Sequence, residues 1–148
     1  MKVFGHPIHI MLIHFPSALF PMDLVCSFIA YYFGILSFAE ASFYAMTGGV
    51  LLGFMAVITG FADLISTAEK RPDLVRKILV HGGINTLVII VYSILAFIAY
   101  KHYPELTPDR PALLITKAGL ILLMIIGNYL GGNLILKDKI GIENSGTF

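Results

Sequence analysis

Residues 78–100 read ILVHGGINTLVIIVYSILAFIAY, an apolar run that contains a histidine but no Asp, Glu, Lys or Arg. A transmembrane helix needs about 20 such residues to cross the hydrocarbon core of a bilayer. Three further apolar runs cover residues 8–34, 41–66 and 111–136. The sequence therefore predicts an integral membrane protein with four transmembrane helices.

The composition supports a lipid environment. Hydrophobic residues make up 57% of the 148 residues and charged residues only 13%, whereas soluble domains average about 25% charged residues. We expect one domain over residues 1–148, with the lipid bilayer as its surroundings. The net charge of +1 argues against a nucleic-acid partner. Cys26 is the only cysteine, which excludes an internal disulfide and a covalent c-type haem motif.

The short connections between the runs predict an all-α, up-down four-helix bundle. One end of this bundle holds most of the basic residues, namely Lys2, Lys70, Arg71, Arg76, Lys77, Lys137 and Lys139. The other end has Lys101 and Arg110, and we expect Lys117 to extend its ammonium group towards that surface. Because cytoplasmic segments carry an excess of Lys and Arg, both termini are predicted to be cytoplasmic.

The histidines are distributed unevenly along the predicted bundle. Helices 1 and 3 begin on the same side of the membrane, and four of the five histidines lie near those two starts: His6, His9, His14 and His81. His102 lies at the opposite end of helix 3. Ionisable groups at membrane depth are costly unless they are paired, so this cluster is a candidate functional site.

Small residues follow regular spacings on two of the helices. Helix 2 carries a series that ends in a carboxylate, and helix 4 adds a pair four residues apart: Gly49, Gly53, Ala56, Gly60 and Asp63, then Gly127 and Gly131. Such spacings are typical of close helix packing. They would also allow a flat cofactor to approach the backbone.

These features together suggest a non-covalent, b-type haem. Imidazoles from two facing helices can be the axial ligands of a haem iron, and the sequence offers His14 and His81 for this role. Arg76 and Lys77 lie just outside His81, where they would meet the haem propionates. Accessory or second-site ligands would come from the two other histidines at this end, His6 and His9.

Two other interpretations stay open. The first is a non-haem Zn, Cu or Fe site, with ligands drawn from His6, His9, His14, His81 and Asp63. The second is a structural subunit of a membrane redox complex, in which the histidines only anchor helix ends. Asp23, deep in helix 1, is either a buried acid bonded to a neighbouring hydroxyl or a proton-relay group. We find no catalytic motif.

Two N-terminal motifs, His6-Pro7-Ile8-His9 and His14-Phe15-Pro16, resemble a family of small, largely uncharacterised bacterial membrane proteins. The resemblance covers essentially the whole chain, although Ile10 stands where relatives often have proline. Relatives occur joined to Rieske iron–sulphur or c-type haem domains. The resemblance thus implies an electron-transfer or binding subunit rather than a stand-alone enzyme, located in the bacterial inner membrane. It also implies a redox protein or a quinone as partner, and it leaves a homo-oligomer open.

Overall fold

The computed structural model describes the backbone of residues 2–3 and 6–138, and the side chains of residues 8–138. Four long helices dominate this part of the chain: α1 (Ile8–Phe33), α2 (Leu36–Lys70), α3 (Val75–Tyr100) and α4 (Pro111–Leu136). A single 3-10 turn, Pro72–Leu74, precedes α3, and a two-residue antiparallel pair, β1 (Lys2–Val3) and β2 (His6–Pro7), precedes α1. All four helices are long and apolar enough to cross a membrane, which confirms the prediction of an all-helical membrane protein.

The helix boundaries agree with the apolar runs to within three residues except in α2. Helix α1 ends before Gly34, whose φ of +69° a residue with a side chain rarely adopts. Helix α2 begins five residues before the predicted run and ends four residues after it. Its 35 residues correspond to about 50 Å at 1.5 Å per residue. It is therefore longer than the hydrocarbon core, which is about 30 Å thick.

Each helix packs against the next in the chain, and α4 returns to contact α1. The centre of the bundle is formed by the stacked rings of Phe20 and Tyr92, which are 3.8 Å apart and nearly parallel. Both side chains are fully buried. Gly49 of α2 makes room for the ring of Phe20, since a Cβ there would lie 2.5 Å from its Cε1. The outer surface is covered by exposed apolar side chains, as expected for helices that face lipid.

Candidate functional site

A cavity of about 940 Å³ opens in the half of the bundle where α1 and α3 begin. All four helices line it, mostly with apolar side chains and glycines. The polar side chains along its wall include the following: His9, His14, Ser17, Asp63, His81, Asn85 and Asn128. A mostly apolar cavity with a few convergent polar groups is the usual form of a ligand or cofactor site.

His9 is held between α1 and α2. It is the second residue of α1, and its Nδ1 lies 2.8 Å from the carbonyl oxygen of Ala56. Gly60, one turn further along α2, provides the space for the ring, because a Cβ at Gly60 would lie 2.8 Å from the Cε1 of His9. The hydrogen bond and the glycine together fix where this imidazole sits.

His81 is held in the same way between α3 and α4. Its Nδ1 lies 2.7 Å from the carbonyl oxygen of Gly127, and a Cβ at Gly131 would lie 2.5 Å from its Cε1. Asn85 donates its amide to the backbone carbonyl of His81 at 3.2 Å. Gly127 in turn leaves room for the amide of Asn85. The imidazole of His81 is therefore fixed by groups on both helices.

The two helical hairpins thus repeat one arrangement. In each, a histidine near the start of the first helix binds a carbonyl of the second helix, and a glycine four residues beyond that carbonyl contacts the ring. The residues are His9, Ala56 and Gly60 in α1–α2, and His81, Gly127 and Gly131 in α3–α4. The sequence carries a signal for this repeat, since the two histidines precede their glycines by 51 and 50 residues.

The two imidazoles meet across the cavity. The ring centroids of His9 and His81 are 6.4 Å apart, and their planes are inclined at 79°. A backbone carbonyl can only accept a hydrogen bond, so Nδ1 is the donor to Ala56 in His9 and, in the shorter of its two contacts, to Gly127 in His81. The amide nitrogen of Asn85 lies 3.2 Å from the same Nδ1 of His81. In the tautomer with the proton on Nδ1, Nε2 keeps its lone pair, as a metal ligand must.

The structure brings His81 together with His9 rather than with its predicted partner, His14. His14 lines the same cavity, but its side chain is exposed and its Nδ1 lies 2.7 Å from the carbonyl oxygen of Ile10 in its own helix. His6 precedes α1, and its side chain lies outside the described residues. His102 is at the far end of α3, as predicted, where its Nδ1 lies 3.0 Å from the carbonyl oxygen of Ile98.

The cations predicted to meet the haem propionates, Arg76 and Lys77, do not line the cavity. Arg76 is exposed, and the ammonium group of Lys77 lies 2.9 Å from the carboxylate of Asp138. The cavity wall instead includes Lys70 and Arg71. The positive charge near the cavity therefore comes from the end of α2 rather than from the start of α3.

The described part of the chain does not bring the ligands of the predicted non-haem metal site into one group. Among the residues whose side chains are described, no group of three or more His, Cys, Asp and Glu side chains could hold a metal ion. Asp63 lines the cavity, but it does not join His9, His14 and His81 in such a group. The non-haem site stays a prediction.

A second polar cluster lies in the opposite half of the bundle. Lys117 of α4 is only 2% exposed, and its Nζ lies 2.7 Å from Oδ1 of Asp23 in α1. Lys117 therefore points towards the α3–α4 connection, where it also contacts Asp109, but its ammonium group is buried and bound by an acid inside the bundle. Ser42 donates to the same Asp23 oxygen at 2.6 Å, which agrees with the prediction of a buried acid bonded to a hydroxyl.

These features define a multi-pass membrane protein with a cavity between two histidine-bearing hairpins. Residues 5–144 match the model of DUF2231, described as a predicted membrane protein, and the chain belongs to this family. No curated protein and no solved structure matches the chain significantly.

Proposed function

We propose that this chain is a b-type haem-binding membrane protein that serves as an electron-transfer subunit, with His9 and His81 as the two axial ligands. The observation that carries the proposal is the pair of imidazoles whose ring centroids are 6.4 Å apart, each with its Nδ1 at hydrogen-bonding distance from a backbone carbonyl. Metal-bound histidines nearly always donate their other ring N–H to a carbonyl or a carboxylate. His9 and His81 both do so.

The separation of the rings supports the same assignment. Two imidazoles that bind one metal ion from opposite sides, with each nitrogen about 2.0–2.1 Å from it, have ring centroids roughly 6 Å apart. The centroids of His9 and His81 are 6.4 Å apart. Two ligands on opposite sides suit a haem iron, because the porphyrin supplies the other four nitrogens. A non-haem ion would need further protein ligands.

The cavity also suits a large, flat and mostly apolar group. Its volume of about 940 Å³ lies at the upper end of the range for ligand pockets, which is about 300–1,000 Å³. Gly82 and Gly83 line the cavity with backbone atoms only. Lys70 would provide positive charge for the haem carboxylates, whereas Arg71 is paired with Asp73. A bound b-type haem would supply a one-electron carrier, and the chain would bind it, orient it and shield it from water.

A visible spectrum tests the proposal. The full chain would be expressed in haem-replete cells and purified in a mild detergent, and a reduced-minus-oxidised spectrum would be recorded. We expect Soret and α-band changes typical of a six-coordinate b-type haem. Their absence would overturn the haem assignment. Metal analysis of the same sample tests the alternative, since stoichiometric Zn, Cu or Fe without haem bands would support a non-haem site.

Substitution of the histidines tests the ligand pair. His9→Ala and His81→Ala should each reduce bound haem at least about tenfold, since loss of a ligand has a larger effect than loss of its supporting hydrogen bond, which costs about 10–100-fold. His14→Ala is the matched control and should keep the bands. If His14→Ala removed the bands and His9→Ala kept them, the ligands would be His14 and His81, as the sequence predicts.

A further inference from the structure

The buried cluster around Lys117 has no part in the proposed haem site. The ammonium group of Lys117 donates to Asp23 at 2.7 Å, to Ser27 at 2.8 Å and to Ser42 at 3.3 Å. It also lies 2.6 Å from Oδ2 of Asp109, in an ion pair without hydrogen-bond alignment. The connection before α4 therefore joins α1, α2 and α4 at this point.

The cluster carries an unbalanced charge. Its two carboxylates and one ammonium group leave one net negative charge, although Asp23 is fully buried and Lys117 is 2% exposed. A buried charge without a partner is strongly destabilising. Oδ1 of Asp23 accepts hydrogen bonds from Lys117 and Ser42, but its Oδ2 is buried and accepts none from any described residue. That oxygen is therefore the natural place for one proton to bind.

The cluster is connected to the surface at one end. The side chain of Asp109 is 22% exposed, that of Lys117 is 3% exposed and that of Asp23 is not exposed at all. Successive contacts of 2.6 and 2.7 Å join these three groups. They form a short path from the α3–α4 connection to the buried acid.

The inner end of this path lies directly behind the cavity. Phe20 lines the cavity and stacks on Tyr92, and Asp23 is one helical turn further along α1. The hydroxyl of Tyr92 is buried and bonds to no described residue. The groups around Asp23 come from every packed element: Cys26 and Ser27 of α1, Ser42 of α2, Tyr92 of α3, Lys117 of α4, and Asp109 of the connection.

We propose that Asp23 is a proton-binding site, loaded through Asp109 and Lys117 from the side of the membrane where α3 and α4 are connected. A hydronium ion at the surface gives its proton to Asp109 and leaves as water; Lys117 gives an N–H proton to the carboxylate of Asp23 and regains one from Asp109. The net change is one O–H bond formed on Asp23, with Asp109 and Lys117 returned to their starting states. It lowers the net charge of the cluster from minus one to zero. A negative charge that enters the cavity favours this loading. This coupling to the cavity rests on the proposed haem function, whereas the proton site itself does not.

Infrared spectroscopy of the purified full chain tests the proton site without reference to haem. A pH titration should show the C=O band of a buried carboxylic acid, and Asp23→Asn should remove that band. Glu105→Gln is the control, because Glu105 is an exposed acid of the same connection. If no band depends on Asp23 at any pH where the protein is folded, the cluster is a permanent ion pair and the proposal is wrong.

Two further variants keep the test decisive if Asp23→Asn does not fold. Ser42→Ala removes the 2.6 Å donor and should shift the band while the acid remains; an unshifted band would contradict the assignment. Asp109→Asn should slow the appearance of the band after a pH jump about tenfold. An unchanged rate would exclude the path through Asp109.

Redox titration tests the coupling separately. If haem is bound, its midpoint potential should fall as the pH rises, and Asp23→Asn should reduce this dependence. A dependence that Asp23→Asn leaves unchanged would exclude the coupling. A sample without haem bands would count against the proposed function alone, since the infrared titration judges the proton site independently.

Discussion

At the scale of single residues, the ring of His81 packs directly against the backbone at Gly131. A methyl group at this position would lie 2.5 Å from the ring of His81. We expect Gly131→Ala to push the ring aside, reduce bound haem at least about tenfold by analogy with lost ligand support, and destabilise the protein by about 1–3 kcal/mol. The haem-to-protein ratio and the thermal unfolding midpoint measure the two effects.

The neighbouring glycine provides the control for this substitution. A Cβ at Gly132 would have no atom within 4 Å, so Gly132→Ala should leave both the haem content and the stability nearly unchanged. Equal haem content in the two variants would show that the position of the His81 ring does not govern binding.

Two features of single residues could not be predicted from the sequence. The pattern placed His9 and His14 at similar depth, but which ring meets His81 depends on the rotation of α1 and on a carbonyl of Ala56, 47 residues away. The partner of Lys117 was hidden in the same way, since Asp23 lies 94 residues before it. Local patterns show how deep a side chain lies, and only tertiary packing determines what it contacts.

At the scale of elements, the packing of α1 on α2 depends on one of two adjacent glycines. A Cβ at Gly49 would lie 2.5 Å from Phe20, and the stack on Tyr92 prevents that ring from moving away. We expect Gly49→Ala to destabilise the bundle by about 1–3 kcal/mol. Reversible unfolding in mixed micelles would measure the change.

Gly48 allows a direct comparison with this substitution. Its added Cβ would make only an ordinary 3.5 Å contact with Leu19, and alanine is favoured over glycine inside a helix by about 0.5–1 kcal/mol. Gly48→Ala should therefore be neutral or slightly stabilising. A loss of stability as large as that of Gly49→Ala would mean that backbone freedom, not the position of Phe20, is important here.

The helices themselves were largely predictable, because membrane helices must satisfy their backbone hydrogen bonds internally. Apolar runs of sufficient length therefore locate them. The predicted run for α2 is too short because it was located by hydropathy alone. Hydropathy identifies the part of a helix that lies in lipid, whereas α2 continues through the polar residues Glu69 and Lys70. The glycine series on α2 had two interpretations. The structure supports close packing, since Gly49 accommodates a packed ring and Gly60 a cavity histidine, and the approach of a flat cofactor stays a prediction.

At the scale of the whole molecule, the two hairpins are equivalent around the cavity and differ in the other half of the bundle. Each contributes one histidine and one glycine to the cavity in an equivalent arrangement. In the other half of the bundle the symmetry is lost, because Asp23 and Ser42 of the first hairpin face Lys117 of the second. Around the cavity the two hairpins present equivalent groups, which suits a ligand bound between them. In the other half of the bundle their polar groups differ, which suits charge held on one side. The protein thus separates its two polar sites along the bundle.

The distribution of charge predicts how this bundle is oriented. Burial of Lys117 leaves Lys101 and Arg110 as the basic residues of the α3–α4 connection, while the opposite end keeps its larger number. We therefore expect the α2–α3 connection to be cytoplasmic and the α3–α4 connection to face outward. Glu69→Cys and Glu105→Cys place a thiol at exposed sites of the two ends, and the native Cys26 is buried. In intact cells a membrane-impermeant maleimide should label Glu105→Cys, whereas Glu69→Cys should react only after permeabilisation. The reverse pattern would place the histidine cavity on the outer side and would reverse the side from which Asp23 takes up its proton.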